Sequence, residues 1–331
     1  MGRSTNLGIS VLLIVVLAAG LTAQAAGTSW GVVFATIHGV VAFGLLILSP
    51  WKTVIARRGL KRRHRKGRGR SLILAGLVLL TITTGLIEMT GTTANIGPFN
   101  TMQVHVVAAL LIIPFIVGHY RRHPVRARKA DLSRRAFLRS GALAAAAGAA
   151  WLGWEGAAVA ARWPGADRRF TGSHERSSFD PDDMPAYQWL DDRIQHLDTQ
   201  TWRLEVGDVL FTYDDLMAFE HETVTAELDC TSGWFSTQDW RGIPLARLID
   251  PGQAASVEVR SATGYARRFP TTDLDRVWLA LEVGGEPLRP GHGYPARIVA
   301  PDRRGFWWVK WVISIRPSSI PWWIQTPFPL T

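Results

Sequence analysis

Cys230 is the only cysteine in this chain of 331 residues, and its thiolate is the side chain best suited to bind a soft, highly charged metal. A single cysteine excludes an intrachain disulfide, and it excludes zinc or iron–sulfur sites built from several cysteines. A lone cysteine is also often a small buried hydrophobic residue. The chemistry of Cys230 therefore depends on what the surrounding sequence places beside it.

Three histidines, His38, His105 and His119, lie in long apolar segments, where an ionisable group is costly and usually functional. His105 and His119 are 14 residues apart, which is about 21 Å along one face of a helix. This spacing is similar to that of bacterial cytochrome b anchors, in which paired histidines from two helices bind two stacked haems. The alternative is that these histidines only form hydrogen bonds between helices.

The natural partner of His105 is His38, because both lie toward the same predicted end of their helices. Fourteen residues after His38 the sequence has Lys52, so no histidine matches His119 in this way. The sequence therefore predicts one b-type haem with His38 and His105 as its iron ligands. Gly39, next to His38, would leave room for the flat ring.

Five apolar segments would carry these histidines across a membrane, at residues 7–26, 30–48, 71–87, 102–120 and 141–161. Each of the first four is about long enough to cross about 30 Å of hydrocarbon, and the fifth is rich in alanine and less apolar. The predicted organisation is a four-helix transmembrane domain at 1–120, a basic loop with a fifth, anchoring helix at 121–161, and a separate domain at 162–331.

The charges are distributed unevenly. Residues 1–161 hold 19 Lys and Arg against 3 acidic residues, a net +16, whereas the remainder holds 18 against 24, a net −6. The basic residues concentrate at 51–70, including the run 61–66, and at 121–139, whereas 24–29 and 90–100 have no Lys or Arg. The positive-inside rule then places the N-terminus in the cytoplasm and, after five spans, the C-terminal domain outside the cytoplasmic membrane. Basic runs that adjoin spans do not indicate nucleic-acid binding.

The fifth segment follows a pattern that resembles a twin-arginine export signal, with Ser133, Arg134, Arg135, Phe137 and Leu138 all in place. Such signals export folded proteins, which suits a domain that receives its cofactor in the cytoplasm. The alternative is an ordinary stop-transfer helix with a basic flank. We expect the segment to remain as an anchor.

Short strand patterns separated by Gly and Pro predict a single α+β domain for residues 162–331. The predicted strands are 202–206, 223–229, 256–261, 277–283, 296–300 and 306–313, and the predicted short helices are 213–219 and 244–249.

A series of motifs between residues 200 and 316 resembles, in order, the molybdopterin-binding domain of the sulfite oxidase family. The motifs are Cys230 followed by Trp240-x-Gly242-x-Pro244-Leu245, Tyr265 five residues before Pro270, Glu282-x-Gly284-Gly285-x-Pro287-Leu288, His292-Gly293-x-Pro295-x-Arg297, and Gly305 with Lys310-Trp311. Gly284 stands where the family has Asn. Trp307 and Trp308 stand where relatives have small or basic polar residues, so Arg303 or Arg304 would take over that phosphate contact.

The resemblance implies a role for each matching residue. Cys230 would bind molybdenum, and Tyr265 would donate a hydrogen bond at the catalytic centre. His292, Arg297 and Lys310 would hold the pterin and its phosphate, since a buried phosphate needs Arg forks and Lys donors. The family includes enzymes that oxidise sulfite and enzymes that reduce sulfoxides, so the motifs leave the direction of the reaction open.

The whole sequence predicts an all-α transmembrane bundle of four helices plus a fifth anchor helix, followed by an α+β sulfite oxidase-like molybdopterin domain. It would be a membrane-anchored oxidoreductase that transfers an oxygen atom on sulfite, a sulfoxide or oxidised methionine outside the cytoplasmic membrane. Electrons would pass through one haem b to or from the quinone pool or another redox partner. The alternative is a membrane scaffold, with or without haem, whose outer domain binds a partner without molybdenum.

Overall fold

The computed structural model describes residues 2–28, 30–60, 68–92, 95–96, 99–122, 124, 128–188 and 192–326. The chain divides into two compact units, Met1–Gln24 with Ser29–His174, and Ala25–Thr28 with Glu175–Thr331. The division falls after His174, beyond the boundary at residue 161 that the sequence predicts. The basic run at 61–66 lies outside the described residues.

The described residues of the first unit form five long helices, one for each apolar segment. These are α1 (Gly2–Ala25), α2 (Trp30–Leu60), α3 (Arg68–Thr90), α4 (Thr101–Arg122) and α5 (Arg134–Ala160). Two short strands, β1 (Asn95–Ile96) and β2 (Phe99–Asn100), pair antiparallel between α3 and α4. The α2 helix continues past its apolar segment and through Pro50.

Four of these helices are long and apolar enough to cross a membrane, judged by length and composition. They are Arg3–Ala25, Trp30–Arg57, Gly69–Thr90 and Thr101–Arg122. The α5 helix is equally long but does not meet this criterion. Its glycines, its two tryptophans and Glu155 reduce the apolar character that its alanines provide. The packing of α5 against the other helices is therefore the evidence on whether it crosses the membrane.

The α5 helix packs along α2. A Cβ at Gly39 would lie 2.7 Å from Nε1 of Trp151, and a Cβ at Gly44 would lie 3.7 Å from Cβ of Ala147. Since the contacts move backward along α2 as they move forward along α5, the two helices run antiparallel. The space beside Gly39, which the sequence analysis assigned to a haem ring, is taken by Trp151.

Polar contacts mark both ends of α5. Just before its first turn, Asp131 accepts a hydrogen bond of 2.9 Å from Arg3 at the start of α1. Near its last turn, Glu155 pairs with Arg168, whose guanidinium also lies 3.5 Å from the carbonyl of Met89 at the end of α3. Because α1 begins at one end of the bundle and α3 ends at the other, α5 extends over the full height of the bundle.

The second unit is a mixed α+β domain built on two sheets. Its strands are β3 (His174–Glu175, at the unit boundary), β4 (Leu204–Val206), β5 (Val209–Phe211), β6 (Glu222–Cys230), β7 (Trp234–Pro244), β8 (Ser256–Ser261), β9 (Ala266–Phe269), β10 (Trp278–Val283), β11 (Glu286–Pro287), β12 (Arg297–Val299) and β13 (Val312–Ser318). Its short helices are α6 (Tyr213–Met217) and α7 (Leu245–Leu248).

One sheet has the order β11-β10-β7-β3, with β12 also pairing with β10 and β6 with β7. The other has the order β5-β4-β13-β8-β9, in which β4 and β13 are parallel. The antiparallel hairpin of β6 and β7 places Cys230 opposite Trp234 at its tip. The candidate metal ligand is therefore held by the longest hairpin among the described residues.

Two motif glycines serve close packing in this sheet. A Cβ at Gly242 would lie 2.1 Å from the carbonyl oxygen of Leu279, so only glycine lets β7 approach β10 here. Gly284 and Gly285 have φ of +60° and +86° in the turn between β10 and β11. A Cβ at Gly284 would also lie 2.7 Å from Cγ of Pro181, so any other residue here would require Pro181 to shift.

The predicted strand at 306–313 is wrong in its first half. Residues Gly305–Trp307 form a short 3₁₀ turn, and β13 begins only at Val312. Trp307 and Trp308 are both buried, so their apolar character reflects packing in the domain core and not strand alternation.

Candidate active site and membrane histidines

Cys230 ends β6 and is partly buried, with Sγ 3.0 Å from Oγ of Ser232. The chain then turns sharply, because N–H of Gly233 donates to the carbonyl of Cys230 at 3.1 Å and Gly233 has φ of +92°. The thiol therefore lies, partly buried, at the tip of the β6–β7 hairpin.

The segment that begins at Arg304 lies directly behind Cys230. Arg304 and Asp229 form a buried ion pair, and their backbones form a parallel β-bridge. Nη2 of Arg304 lies 3.4 Å from the carbonyl oxygen of Cys230, and a Cβ at Gly305 would lie 3.2 Å from Cα of Cys230. The glycine of the last motif is thus needed for this close approach.

Each arginine proposed as a replacement phosphate contact forms an ion pair with a carboxylate, and the phosphate contact stays a prediction. Arg304 is committed to Asp229, and Arg303 pairs with Asp273. The sequence analysis did not identify the Arg304–Asp229 pair. The available signal was a carboxylate directly before Cys230, which needs a cation if it is buried.

Arg297 is buried to 1% exposure between two tryptophans. Its guanidinium carbon lies 4.9 Å from the ring centre of Trp240 and 5.5 Å from that of Trp308, within cation–π range. Nη1 donates to the carbonyl of His292 at 3.0 Å. Burial lowers the pKa of Arg297 to about 9. Trp308, which departs from the family pattern, therefore helps to hold the arginine of the preceding motif.

Lys310 projects its ammonium group toward three acceptors. It donates to the carbonyls of Gly291 at 2.6 Å and Tyr187 at 2.9 Å, and to Oε1 of Gln188 at 3.1 Å. Burial, followed by the charge of Arg297, lowers the pKa of Lys310 to about 7.

His292 is 3% exposed and sits beside these two cations. Burial, followed by the charges of Arg297 and Lys310, lowers its pKa to about 3, so the imidazole is neutral at pH 7. Gly293 has φ of +108°, and a Cβ there would lie 3.0 Å from Cβ of Arg297 and 3.1 Å from Cβ of Lys310. The glycine of this motif lets the two cationic residues come together.

His292, Arg297 and Lys310 form one cluster, joined by the hydrogen bond from Arg297 to the carbonyl of His292 and by the close approach at Gly293. The charge of Cys230 would raise the pKa of both Arg297 and Lys310. Among the described residues, neither of these cations forms an ion pair with a carboxylate. Two buried cations held together are costly, and the charges of Asp192 and Cys230 act favourably on Lys310. An anion bound between the two cations would reduce the cost further. A phosphate-bearing cofactor with a metal at its other end fits this donor set.

The metal itself would need ligands beyond the protein. In the part of the chain that the structure describes, no three His, Cys, Asp or Glu side chains are arranged to hold a metal ion. A single thiolate is sufficient only where the cofactor brings its own ligands, as molybdopterin does.

Tyr265 is 6% exposed and donates its hydroxyl hydrogen to the carbonyl of Phe306. Burial raises its pKa above the ordinary value. Phe306 follows Gly305, which packs on Cys230, so Tyr265 lies near the cluster with its hydroxyl bonded to the backbone. Its predicted donation at the catalytic centre stays a prediction.

In the first unit, the fold brings His38 and His105 together. Their ring centres are 6.0 Å apart and their planes are inclined by 77°. Nδ1 of His38 lies 2.8 Å from the carbonyl of Val16, and Nδ1 of His105 lies 2.8 Å from that of Thr81. Carbonyls at Nδ1 fix each ring so that Nε2 is the nitrogen left to bind a metal.

This spacing would let the two imidazoles hold one metal ion between them. Metal–imidazole bonds of about 2 Å would put two opposed ring centres about 6 Å apart. Gly20 and Gly85 leave room for the rings, because a Cβ there would lie 2.7 Å from Nδ1 of His38 and 3.0 Å from Cε1 of His105.

Known proteins resemble the second unit. Residues 192–321 match the family model of the oxidoreductase molybdopterin binding domain. The uncharacterized oxidoreductase YuiH of Bacillus subtilis is 25% identical over 146 residues, which is 40% of this chain and 69% of that protein. Human mitochondrial sulfite oxidase is 27% identical over 169 residues, or 38% of this chain and 31% of that protein.

The catalytic subunit MsrP of the protein-methionine-sulfoxide reductase of Campylobacter jejuni is 23% identical over 149 residues, or 37% of this chain and 50% of that protein. The chain therefore spans half or less of the length of these two enzymes. The second unit resembles a molybdopterin-binding oxidoreductase domain, the class that its motifs predict. More particularly, its relatives are sulfite oxidases and methionine sulfoxide reductase subunits.

Proposed function

We propose that this chain is a membrane-anchored molybdopterin-dependent oxidoreductase acting on a sulfur-oxo compound, either sulfite or a sulfoxide such as oxidised methionine. The observation that carries the proposal is the cationic cluster of Arg297 and Lys310 beside Cys230. The substrate class follows from the names of the sulfite oxidase and methionine sulfoxide reductase relatives. When bound, molybdopterin would supply two-electron oxygen-atom transfer.

The residues of the chain bind and orient this cofactor. Cys230 provides the thiolate ligand, and the Ser232 hydroxyl 3.0 Å away stabilises it by a hydrogen bond. Arg297 and Lys310 neutralise the phosphate. His292 is neutral because of its lowered pKa, so it binds the pterin by hydrogen bonding and adds no charge.

The first unit would anchor the enzyme and place its second unit outside the cytoplasm. Four helices meet the length and composition of membrane spans. The full-height packing of α5 against α2 supports a fifth crossing, and an odd number of crossings puts the second unit opposite the basic loops. The arginine pair Arg134 and Arg135 at the start of α5 supports export of a folded domain.

One haem b would lie between His38 and His105 and supply one-electron transfer. The ring separation of 6.0 Å and the two Nδ1–carbonyl hydrogen bonds support this assignment. The haem would exchange electrons with the quinone pool or with another redox partner. His119 is not part of this site.

Metal and pterin analysis of the purified full chain tests the proposal. We expect roughly one molybdenum and one haem iron per chain, together with the fluorescence of oxidised pterin. A membrane scaffold predicts neither molybdenum nor pterin. A chain that is exported and folded but contains neither would contradict the proposed function.

A further inference from the structure

A buried carboxylate and a buried imidazole meet near the end of α3. Glu88 is 6% exposed and His174 is 5% exposed. Nε2 of His174 lies 3.8 Å from Oε2 of Glu88 and 3.2 Å from its backbone oxygen. Oε1 of Glu88 accepts a hydrogen bond from the hydroxyl of Thr101, the first residue of α4. Among the described residues, none forms a hydrogen bond with Oε2.

Glu88 lies near His105, one of the two membrane histidines of the proposed haem site. Thr101 is four positions before His105 on α4, which is about 6 Å of helix. On α3, one turn before Glu88, Oγ1 of Thr84 lies 3.3 Å from Nδ1 of His105. Glu88 is therefore roughly one helical turn away from a proposed iron ligand.

The other charged groups around Glu88 do not neutralise it. Arg168, which lies 3.5 Å from the carbonyl of Met89, is paired with Glu155. The titratable side chain that packs against Glu88 is His174. A carboxylate in this apolar setting, with one oxygen that accepts no hydrogen bond from the described residues, is costly in its charged form. Such residues in membrane proteins commonly exchange protons.

We propose that Glu88 and His174 form a proton-exchange site coupled to electron transfer at the haem of His38 and His105, an inference that rests on the proposed function. When a membrane hydroquinone delivers one electron to the haem, it becomes a semiquinone and releases one of its protons to water. One proton from water at this end of the bundle then binds Oε2 of Glu88 through the His174 imidazole. The carboxylate becomes a carboxylic acid, and the proton leaves when the electron leaves. One negative charge gained is thus balanced by one proton gained.

The physical reason for the coupling is the low dielectric of the bundle interior. An added electron raises the energy of a nearby carboxylate much more there than in water, so protonation of Glu88 follows reduction. The reverse also holds, because protonation of Glu88 makes the haem easier to reduce. The haem midpoint potential should therefore fall as the pH rises.

Redox titration of the haem in the purified full chain tests this at several pH values between about 6 and 8. We expect the wild-type potential to fall with rising pH. Glu88→Gln keeps an oxygen for Thr101 but cannot bind the proton, so its potential should not change with pH. Glu155→Gln is the matched control: it removes a paired carboxylate at the same end, and the wild-type pH dependence should remain.

The wild-type protein provides a second measurement. Its reduced-minus-oxidised infrared difference spectrum should show a protonated carboxyl C=O band that Glu88→Gln lacks. A haem potential that is independent of pH, or an unchanged dependence in Glu88→Gln, overturns the proton site and leaves the haem assignment intact. A chain with no haem spectrum overturns both, so the two failures are distinguishable.

Discussion

The guanidinium of Arg304 forms a buried ion pair with the carboxylate of Asp229, the residue directly before Cys230. The two side chains are 1% and 4% exposed, and Arg304 also reaches the carbonyl oxygen of Cys230 at 3.4 Å. This ion pair connects the end of β6, where Cys230 lies, to the segment that runs from Arg304 to Lys310. The two parts of the site that would bind opposite ends of one cofactor are therefore fixed relative to each other.

Removing one member of this pair should destabilise the second unit strongly. Arg304→Met leaves the Asp229 carboxylate buried and unpaired, and we expect a loss of about 3–5 kcal/mol in the free energy of unfolding. Urea unfolding of the full chain in detergent, followed by tryptophan fluorescence, measures this loss. In the control Arg316→Met, whose pair with Glu205 is exposed, the loss should be about 0–1 kcal/mol. Equal losses in the two variants would contradict the role of the buried pair.

Cofactor retention should depend on pH through Lys310. Its pKa of about 7 in the cofactor-free protein means that its positive charge is present below pH 7 and disappears above it. Phosphate binding needs that charge, so molybdenum retained during dialysis should decrease from about pH 6 to pH 8. Arg297, with a pKa of about 9, stays charged over this range, and His292 stays neutral.

Lys310→Arg carries a permanent charge at the same position, so its retention of molybdenum should not change over this pH range. The same pH dependence in Lys310→Arg and in the wild type would mean that another group controls binding of the cofactor.

The export signal can be tested without changing charge. The α5 helix begins at Arg134, and Oγ of Ser133 caps it by accepting from N–H of Ala136 at 3.3 Å. Replacing Arg134 and Arg135 by Lys together keeps the cap and every charge. We expect the second unit to stay in the cytoplasm while the first four helices insert, measured by protease access in spheroplasts. Arg139→Lys is the control and should be exported. Normal export of the double variant would make α5 a simple anchor.

The haem assignment makes different predictions for three histidines. His38→Ala and His105→Ala should each remove the sharp visible bands of reduced low-spin cytochrome b, because each empties one axial position. His119→Ala, four turns along α4 from His105, should keep them. Loss of the bands in His119→Ala but not in His38→Ala would overturn the single-haem arrangement.

The helices and several strands could be predicted from the sequence, because their apolar residues follow a clear pattern. The longest of the strands that were not predicted is β7, Trp234–Pro244, although its burial alternates almost regularly. Two of its fully buried positions are Ser236 and Gln238, which bind the carbonyl of Ser177. Polar residues at inward positions hide the period of two on which strand prediction depends.

In the candidate site, too, some residues could be predicted from the sequence and others could not. The sequence motifs identified four of its residues, namely Cys230, His292, Arg297 and Lys310. The partners of Asp229 and Glu88 could not be predicted, because Arg304 and His174 are far away in the chain and nothing local indicates either contact. Long-range pairing of charges depends on the register of distant segments, which a single sequence does not encode in a readable pattern.

X-ray absorption at the molybdenum edge tests the central claim most directly. If Cys230 binds the metal, the wild type should show sulfur ligands from both the cofactor and the protein, and Cys230→Ser should show one sulfur fewer. Because Arg297, His292 and Lys310 are unchanged, the variant should still contain pterin while losing activity. An identical sulfur count in the wild type and Cys230→Ser, with activity retained, would contradict molybdenum binding by this cysteine.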